Sequence, residues 1–147
     1  MGALFYAMIE IPIFFLEIEE NGIHLLMEVL INDKPARMLI DTGASQTVLD
    51  KNRALQFIGN AEIEASDTLS KGLGTDSMES SKVELESMAF GSLKIIGQEV
   101  VLLDLVHVNT SYEAMGQPPV DGVLGGEILK KYKVVIDYGA GTISFSE

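Results

Sequence analysis

Asp41 is the residue of this chain with the clearest chemical promise. It ends the apolar run Met38-Leu39-Ile40 and is followed at once by Thr42-Gly43-Ala44-Ser45. A carboxylate delivered by a buried strand is unfavourable unless hydrogen-bond donors surround it. Gly43 lets the backbone turn sharply and bring its amide to the carboxylate without a Cβ in the way, and Thr42 and Ser45 add two hydroxyls. Such a pattern would hold an ionisable group rigidly at the floor of a cleft, where it could accept and donate protons. About eighty positions later comes a second short motif, Val120-Asp121-Gly122-Val123-Leu124-Gly125. Asp121, directly before a glycine, reads as a cap or turn residue rather than a second catalytic acid, and Asp137 before Tyr138-Gly139 reads as a hairpin residue.

What the chain lacks removes the competing chemistries. It contains no Cys, so it has no disulfide framework, no thiolate zinc site and no Cys nucleophile. His24 and His107 stand far apart, without the spacing of a histidine metal site, and read as satisfied core or surface imidazoles. Neither a metal nor a cofactor is expected. With 22 acidic against 10 basic residues the net charge is -12, which argues against nucleic acid, whose phosphates demand Lys and Arg. An apolar fraction of 47% argues equally against disorder. The apolar N-terminal stretch Met1 to Leu16 has no basic flank and carries Glu10 and Pro12, so it reads as a strand or arm rather than a signal or membrane span. No Lys or Arg precedes Lys34, which leaves no basic patch for an anionic membrane. These features point away from a membrane partner and slightly favour a cytoplasmic location.

The elements that must position Asp41 are mostly short strands. Ile13 to Glu19 and Ile23 to Ile31 flank Glu20-Asn21-Gly22, a tight hairpin signal. Asn32-Asp33-Lys34-Pro35 turns the chain into Ala36 to Ile40, the strand that ends at Asp41. Lys51 to Phe57 suits a helical turn and Glu62 to Thr68 a strand. Lys82 to Phe90 alternates, Gly91-Ser92 turns, and Ile95 to Val108 is a long apolar run broken at Gly97 and Asp104. Asn109 to Pro119 reads as a polar loop. Glu127 to Tyr132 is the best short helix, and Val134 to Asp137 pairs with Thr142 to Phe145 across Gly139-Ala140-Gly141. Many short strands with one or two short helices predict a barrel or sandwich, and at 147 residues one domain, with residues 1–20 as its N-terminal strand or arm.

Taken together, Asp41-Thr42-Gly43-Ala44-Ser45 and the later Val123-Leu124-Gly125 with its following helix resemble the retropepsin-like, single-lobe aspartic peptidases. The first matches that family's catalytic motif, D-[ST]-G-[AS]. The second is similar to its other signature, two apolar residues and a glycine ahead of a short helix. The likeness runs from about Leu25 to Phe145. It implies an all-β fold, a closed acid-protease-type barrel with one or two short helices and one lobe per chain, so that residues 1–147 form a single protease domain. It also implies an aspartic endopeptidase acting on peptides or proteins. Two-lobed relatives carry two Asp-Thr-Gly loops, whereas this chain has one, so a complete site would need a homodimer with Asp41 from each copy. Thr42 would bond across that dimer beneath the carboxylates. Asp121 and Gly122 to Gly125 would form the second-signature loop, and Gly72-Leu73-Gly74-Thr75 resembles the flap that closes over substrate.

The chain also departs from the family. Many retroviral members carry an Asp two residues after the catalytic glycine and an Arg directly after the second-signature glycine; here Ser45 and Gly126 stand at those places. That ion pair is therefore missing, and the chain ends become the expected dimer contact. The alternative is a catalytically inactive binding or assembly module of the same fold.

Overall fold

A computed structural model describes residues 8–18, 22–59, 63 and 81–147. The expected flap residues Gly72, Leu73, Gly74 and Thr75 lie outside them. Strands dominate: β1 (Met8–Pro12), β2 (Phe14–Ile18), β3 (Gly22–Ile31), β4 (Lys34–Ile40), β5 (Val48–Asp50), β6 (Lys82–Glu84), β7 (Ser87–Phe90), β8 (Leu93–Ile96), β9 (Glu99–Leu103), β10 (Gly122–Leu124), β11 (Val135–Asp137) and β12 (Thr142–Ser146). A 3-10 turn spans Ala54–Gln56, within the helical turn expected at 51–57. Two helices lie wholly within the described residues, α1 (Val106–Ala114) and α2 (Gly126–Lys131).

Nine strands build a curled half-barrel in the order β6-β9-β5-β10-β4-β3-β7-β8, with β2 also pairing β3. The expected hairpin is present, β2 meeting β3 antiparallel from Phe14 opposite Leu26 to Ile18 opposite Gly22. β3 then returns as β4 through a two-residue turn in which Asn32 and Asp33 both have positive φ, 50° and 66°. Asn and Asp tolerate that left-handed backbone, and a turn of this twist matches the twist of the strands it joins. A separate three-stranded sheet, β1-β12-β11, is made from the two ends of the described chain.

Period-two alternation on β4 sends Ala36, Met38 and Ile40 into the main core and puts Arg37 and Leu39 on the opposite face. The small sheet closes that core from below, with Phe90 stacked on Phe145 at 4.4 Å between ring centres. Each such fully buried aromatic contributes about 1.5–3 kcal/mol. On the other face Leu26 and Val120 pack with Tyr112 of α1.

Two expectations need correction. The polar loop expected at 109–119 is helical over its first half, since α1 runs from Val106 to Ala114. Its β-branched, Asn, Thr and Ser residues are weak helix formers, and Tyr112 is its one buried side chain, so no apolar stripe announces it. Tertiary bonds hold it instead. Asn109 Nδ2 donates to Asp50 Oδ2 and the Asn109 side chain pairs with the backbone of Val120 in both directions. Gly116, at φ 71°, ends it, and the amide of Gln117 donates back to Tyr112 O. Of the strand expected at 62–68 only Ile63 is described. Its amide donates to Gly59 O, a helical rather than an extended pattern.

Candidate active site

β10 explains how the two sequence motifs meet. It lies between β4 and β5, parallel to β4 from Gly122 opposite Met38 to Leu124 opposite Ile40 and antiparallel to β5. The chain leaving β4 must therefore pass over the end of β10 before it returns as β5. That passage is Asp41 to Thr47. The Asp41 amide donates to Leu124 O at 3.0 Å and the Gly126 amide to Ala44 O at 2.7 Å, so the loop is sewn to both ends of the Leu124-Gly125-Gly126 segment. No side chain fits at two of these positions. A Cβ at Gly125 would lie 2.6 Å from the carbonyl carbon of Gln46, and one at Gly122 would lie 2.2 Å from Val48 O.

Within the loop the Gly43 amide donates to Asp41 Oδ1 at 2.9 Å, the contact the glycine was expected to permit. The sequence also suggested a desolvated carboxylate, and there the geometry differs. Asp41, Thr42, Gly43 and Ser45 are all exposed in the single chain, and the Thr42 hydroxyl has no hydrogen-bond partner among the described residues. Ala44 is half-buried and packs against Val48, Val101 and Val123, which carpet the sheet beside the loop.

Thr47 and Glu127 were not singled out by sequence reasoning, yet they carry the strongest polar link between the motifs. The Thr47 hydroxyl donates to Glu127 Oε1 at 2.8 Å, its amide donates to Glu127 Oε2 at 2.5 Å, and it accepts the Gly125 amide at 3.0 Å. Thr47 is completely buried. This bidentate clasp joins the first-motif loop to α2 in a chain where Ser45 and Gly126 leave no ion pair to do so. Thr47 sits only two residues beyond Ser45, but nothing in the sequence joins it to a glutamate 80 positions away.

Asp121 lies at the other end of β10, away from Asp41. Its Oδ1 accepts Arg53 Nε at 2.7 Å and its Oδ2 accepts the Arg37 amide at 2.8 Å. Beside it Asp50, which the sequence reading passed over, is 1% exposed. It accepts bonds from the Asn52 amide and side chain, the Leu105 amide and Asn109 Nδ2, at 3.1–3.2 Å. Both carboxylates pin the strands that aim the Asp41 loop.

His24 Nδ1 lies 2.7 Å from the Tyr112 hydroxyl, while His107 is exposed. Burial raises the Tyr112 pKa above its ordinary value, partly offset by Arg37. Among the described residues no cluster of three or more His, Asp or Glu is placed to hold a metal, and no helix is long and apolar enough to cross a membrane.

Comparison with known proteins bears on this geometry directly. Residues 27–128 match the aspartyl protease family. No curated protein matches the sequence. Among solved structures, the chain is similar to a retropepsin-like aspartic protease from Rickettsia conorii, with a TM-score of 0.52 and 17% identity over 99% of this chain and 96% of that one. It is also similar to the retroviral protease-like domain of Ddi1 from Leishmania major, with a TM-score of 0.58 and 13% identity over 83% of this chain and 87% of that one. At such identities the likeness speaks for the fold.

Proposed function

Because the chain belongs to the aspartyl protease family, we propose that it is an endopeptidase whose active site is completed by two copies, each supplying Asp41. The observation that carries this reading is the state of Asp41 itself. It is exposed, its carboxylate accepts one hydrogen bond, and it stands at the end of a strand paired on both sides. A group kept so rigid and so little engaged is available to a partner carboxylate across a two-fold axis. Thr42, with its unengaged hydroxyl, is available in the same way.

Two carboxylates brought within hydrogen-bonding distance cannot both ionise, so the pair would share one proton. The ionised Asp41 would take a proton from a bound water as that water attacks the peptide carbonyl. The protonated Asp41 would give its proton to the carbonyl oxygen. Collapse of the tetrahedral species would then pass a proton to the leaving amine, breaking the C–N bond and restoring the shared state. The second copy would also supply the desolvation that one chain does not.

The chain ends limit how the copies meet. β12 has β1 on one side and β11 on the other, so a sheet shared between copies would have to extend from the edge of β1 or of β11. Each copy carries a net charge of -12, so added salt should strengthen association by screening repulsion. Sedimentation through a salt series, run with a peptide-cleavage assay on wild type and Asp41→Asn, tests the reading. Salt-promoted dimers whose cleavage disappears with Asp41→Asn are expected. Undiminished cleavage by the variant, or loss of activity with EDTA, overturns the role of Asp41. Activity in a chain that stays monomeric in every salt overturns the shared site, and a stable dimer without turnover favours the binding module.

A further inference from the structure

The hairpin of β2 and β3 overhangs the end of the sheet at which Asp41 stands. The last rung of the β3–β4 ladder is Leu26 opposite Leu39. Beyond it β4 runs two residues on to Asp41, while β3, being antiparallel, runs four residues back to Gly22, paired there with β2. Ile23 therefore reaches along the sheet to within roughly one strand rise (~3.4 Å) of the level of Asp41.

Residues paired across an antiparallel ladder share a face, so Phe15, Glu17, Ile23 and Leu25 lie on one side of this hairpin. It is the side on which Leu25 and Met27 join the main core, opposite the side on which Leu26 meets α1. Leu25 is buried, but Phe15 and Ile23 are exposed. The Phe15 ring stands 5.9 Å from that of Tyr138, which is exposed as well and follows β11 at the edge of the small sheet. Exposed apolar residues scattered singly mean little, but these three form a strip from the small sheet to the Asp41 end of the large one, with Glu17 at its margin.

We propose that this strip is the surface on which the second copy seats, an apolar contact in place of the ion pair lost to Ser45 and Gly126. The inference rests on the reading that two Asp41 residues meet. A copy that brings its own Asp41 to this one comes within roughly 10–12 Å of Ile23, and a two-fold axis sets the same strip on both sides of the contact. Two copies at -12 each repel, so the attraction must come from apolar burial rather than from net charge. Leu39 and the valines beside the Asp41 loop lie on the other side of the sheet, which leaves the strip to a partner rather than to substrate. A stable interface buries about 800 Å² per copy, more than three side chains provide, so the strip acts together with the Asp41 loops.

The full chain is compared with Phe15→Glu, Ile23→Glu and Ile96→Glu by sedimentation at high salt and by specific activity against protein concentration. Ile96 is exposed on β8, at the far edge of the sheet, and reports what an added carboxylate does elsewhere. The dimer dissociation constants of Phe15→Glu and Ile23→Glu should rise at least about tenfold and that of Ile96→Glu by no more than about threefold. Activity of the first two should return to the wild-type level when the protein concentration is raised. Because the chain has no Cys, a nitroxide on Ile23→Cys, present as a trace in excess wild type, reads the contact directly. Its accessibility to a dissolved nickel chelate should fall as dimers form, whereas that of a nitroxide on Ile96→Cys should not. A wild-type dimer that both Glu variants leave intact, or a label at position 23 equally accessible in monomer and dimer, overturns the strip and leaves the shared site standing. A dimer weakened by both variants but unable to cleave peptide upholds the strip while the peptidase reading fails. A wild-type chain that is monomeric in every salt overturns the shared site and this surface with it.

Discussion

The two ends of β10 hold the same chemical group in opposite circumstances. At its start Asp121 and the neighbouring Asp50 are buried, 6% and 1% exposed, and their oxygens are taken by donors from three parts of the chain. Past its end Asp41 is exposed and holds one amide, that of Gly43. A carboxylate that holds strands together must be saturated, because each missing donor leaves a desolvated charge. A carboxylate reserved for chemistry must keep its lone pairs free. Hydrogen bonding alone does not single out Asp41, since Asp137 is exposed as well and likewise accepts one amide, that of Ala140, in a hairpin; what differs is that Asp41 stands where the two motifs meet.

The largest effect should come from Asp41→Asn, which breaks the chemical side of the contrast. Peptide hydrolysis is expected to fall by a factor of about 10²–10⁴ or beyond detection, while thermal unfolding moves by no more than about 0.5 kcal/mol. A matched loss of stability would show that Asp41 is structural too.

Asp50→Ala breaks the other side. It strands the Asn52, Leu105 and Asn109 donors in a buried setting, and urea denaturation should show a loss of about 3 kcal/mol. Any activity change should follow the unfolded fraction. A variant as stable as wild type would refute the anchoring role.

Thr47→Val sharpens the comparison at the link between the two motifs. The hydroxyl's bonds to Glu127 and Gly125 are lost while the shape is nearly kept. The expected cost is about 1–2 kcal/mol, with turnover falling more than stability explains, because the loop that carries Asp41 loosens.

The smallest effect concerns pH. Asp104 is fully exposed, and its pKa is held below the ordinary value by the Val106 amide at the start of α1 and by the Asn52 side chain. A lowered folded-state pKa means that its support is present above the unfolded value near 4 and fades as the pH falls through the folded one. Asp104→Asn should therefore narrow its stability gap to wild type on acidification below pH about 4. A gap independent of pH would remove Asp104 from that linkage.

Local pattern was enough for much of the fold. An apolar run between the turn at 32–35 and Asp41 placed β4, the Gly139 hairpin tied β11 to β12, and the glycine and apolar spacing placed α2 within one residue. α1 escaped because its stabilisation is not local: Asn109 reaches Asp50 and Val120, and helix propensity alone does not support the segment. Asp50 and Arg53 were missed for the same reason, since a lone Asp and Arg in a polar turn look solvated until their partners are brought in.

The sequence by itself determined that Asp41 would end an apolar strand at a Thr-Gly turn, because strand period and glycine geometry act over a few residues. Only the tertiary structure decided that β10 would thread beside that strand, that Glu127 would clasp Thr47 from 80 positions away, and that Asp41 would remain exposed in the single chain. Those outcomes depend on which distant backbone groups meet, and a residue's type does not encode its partner.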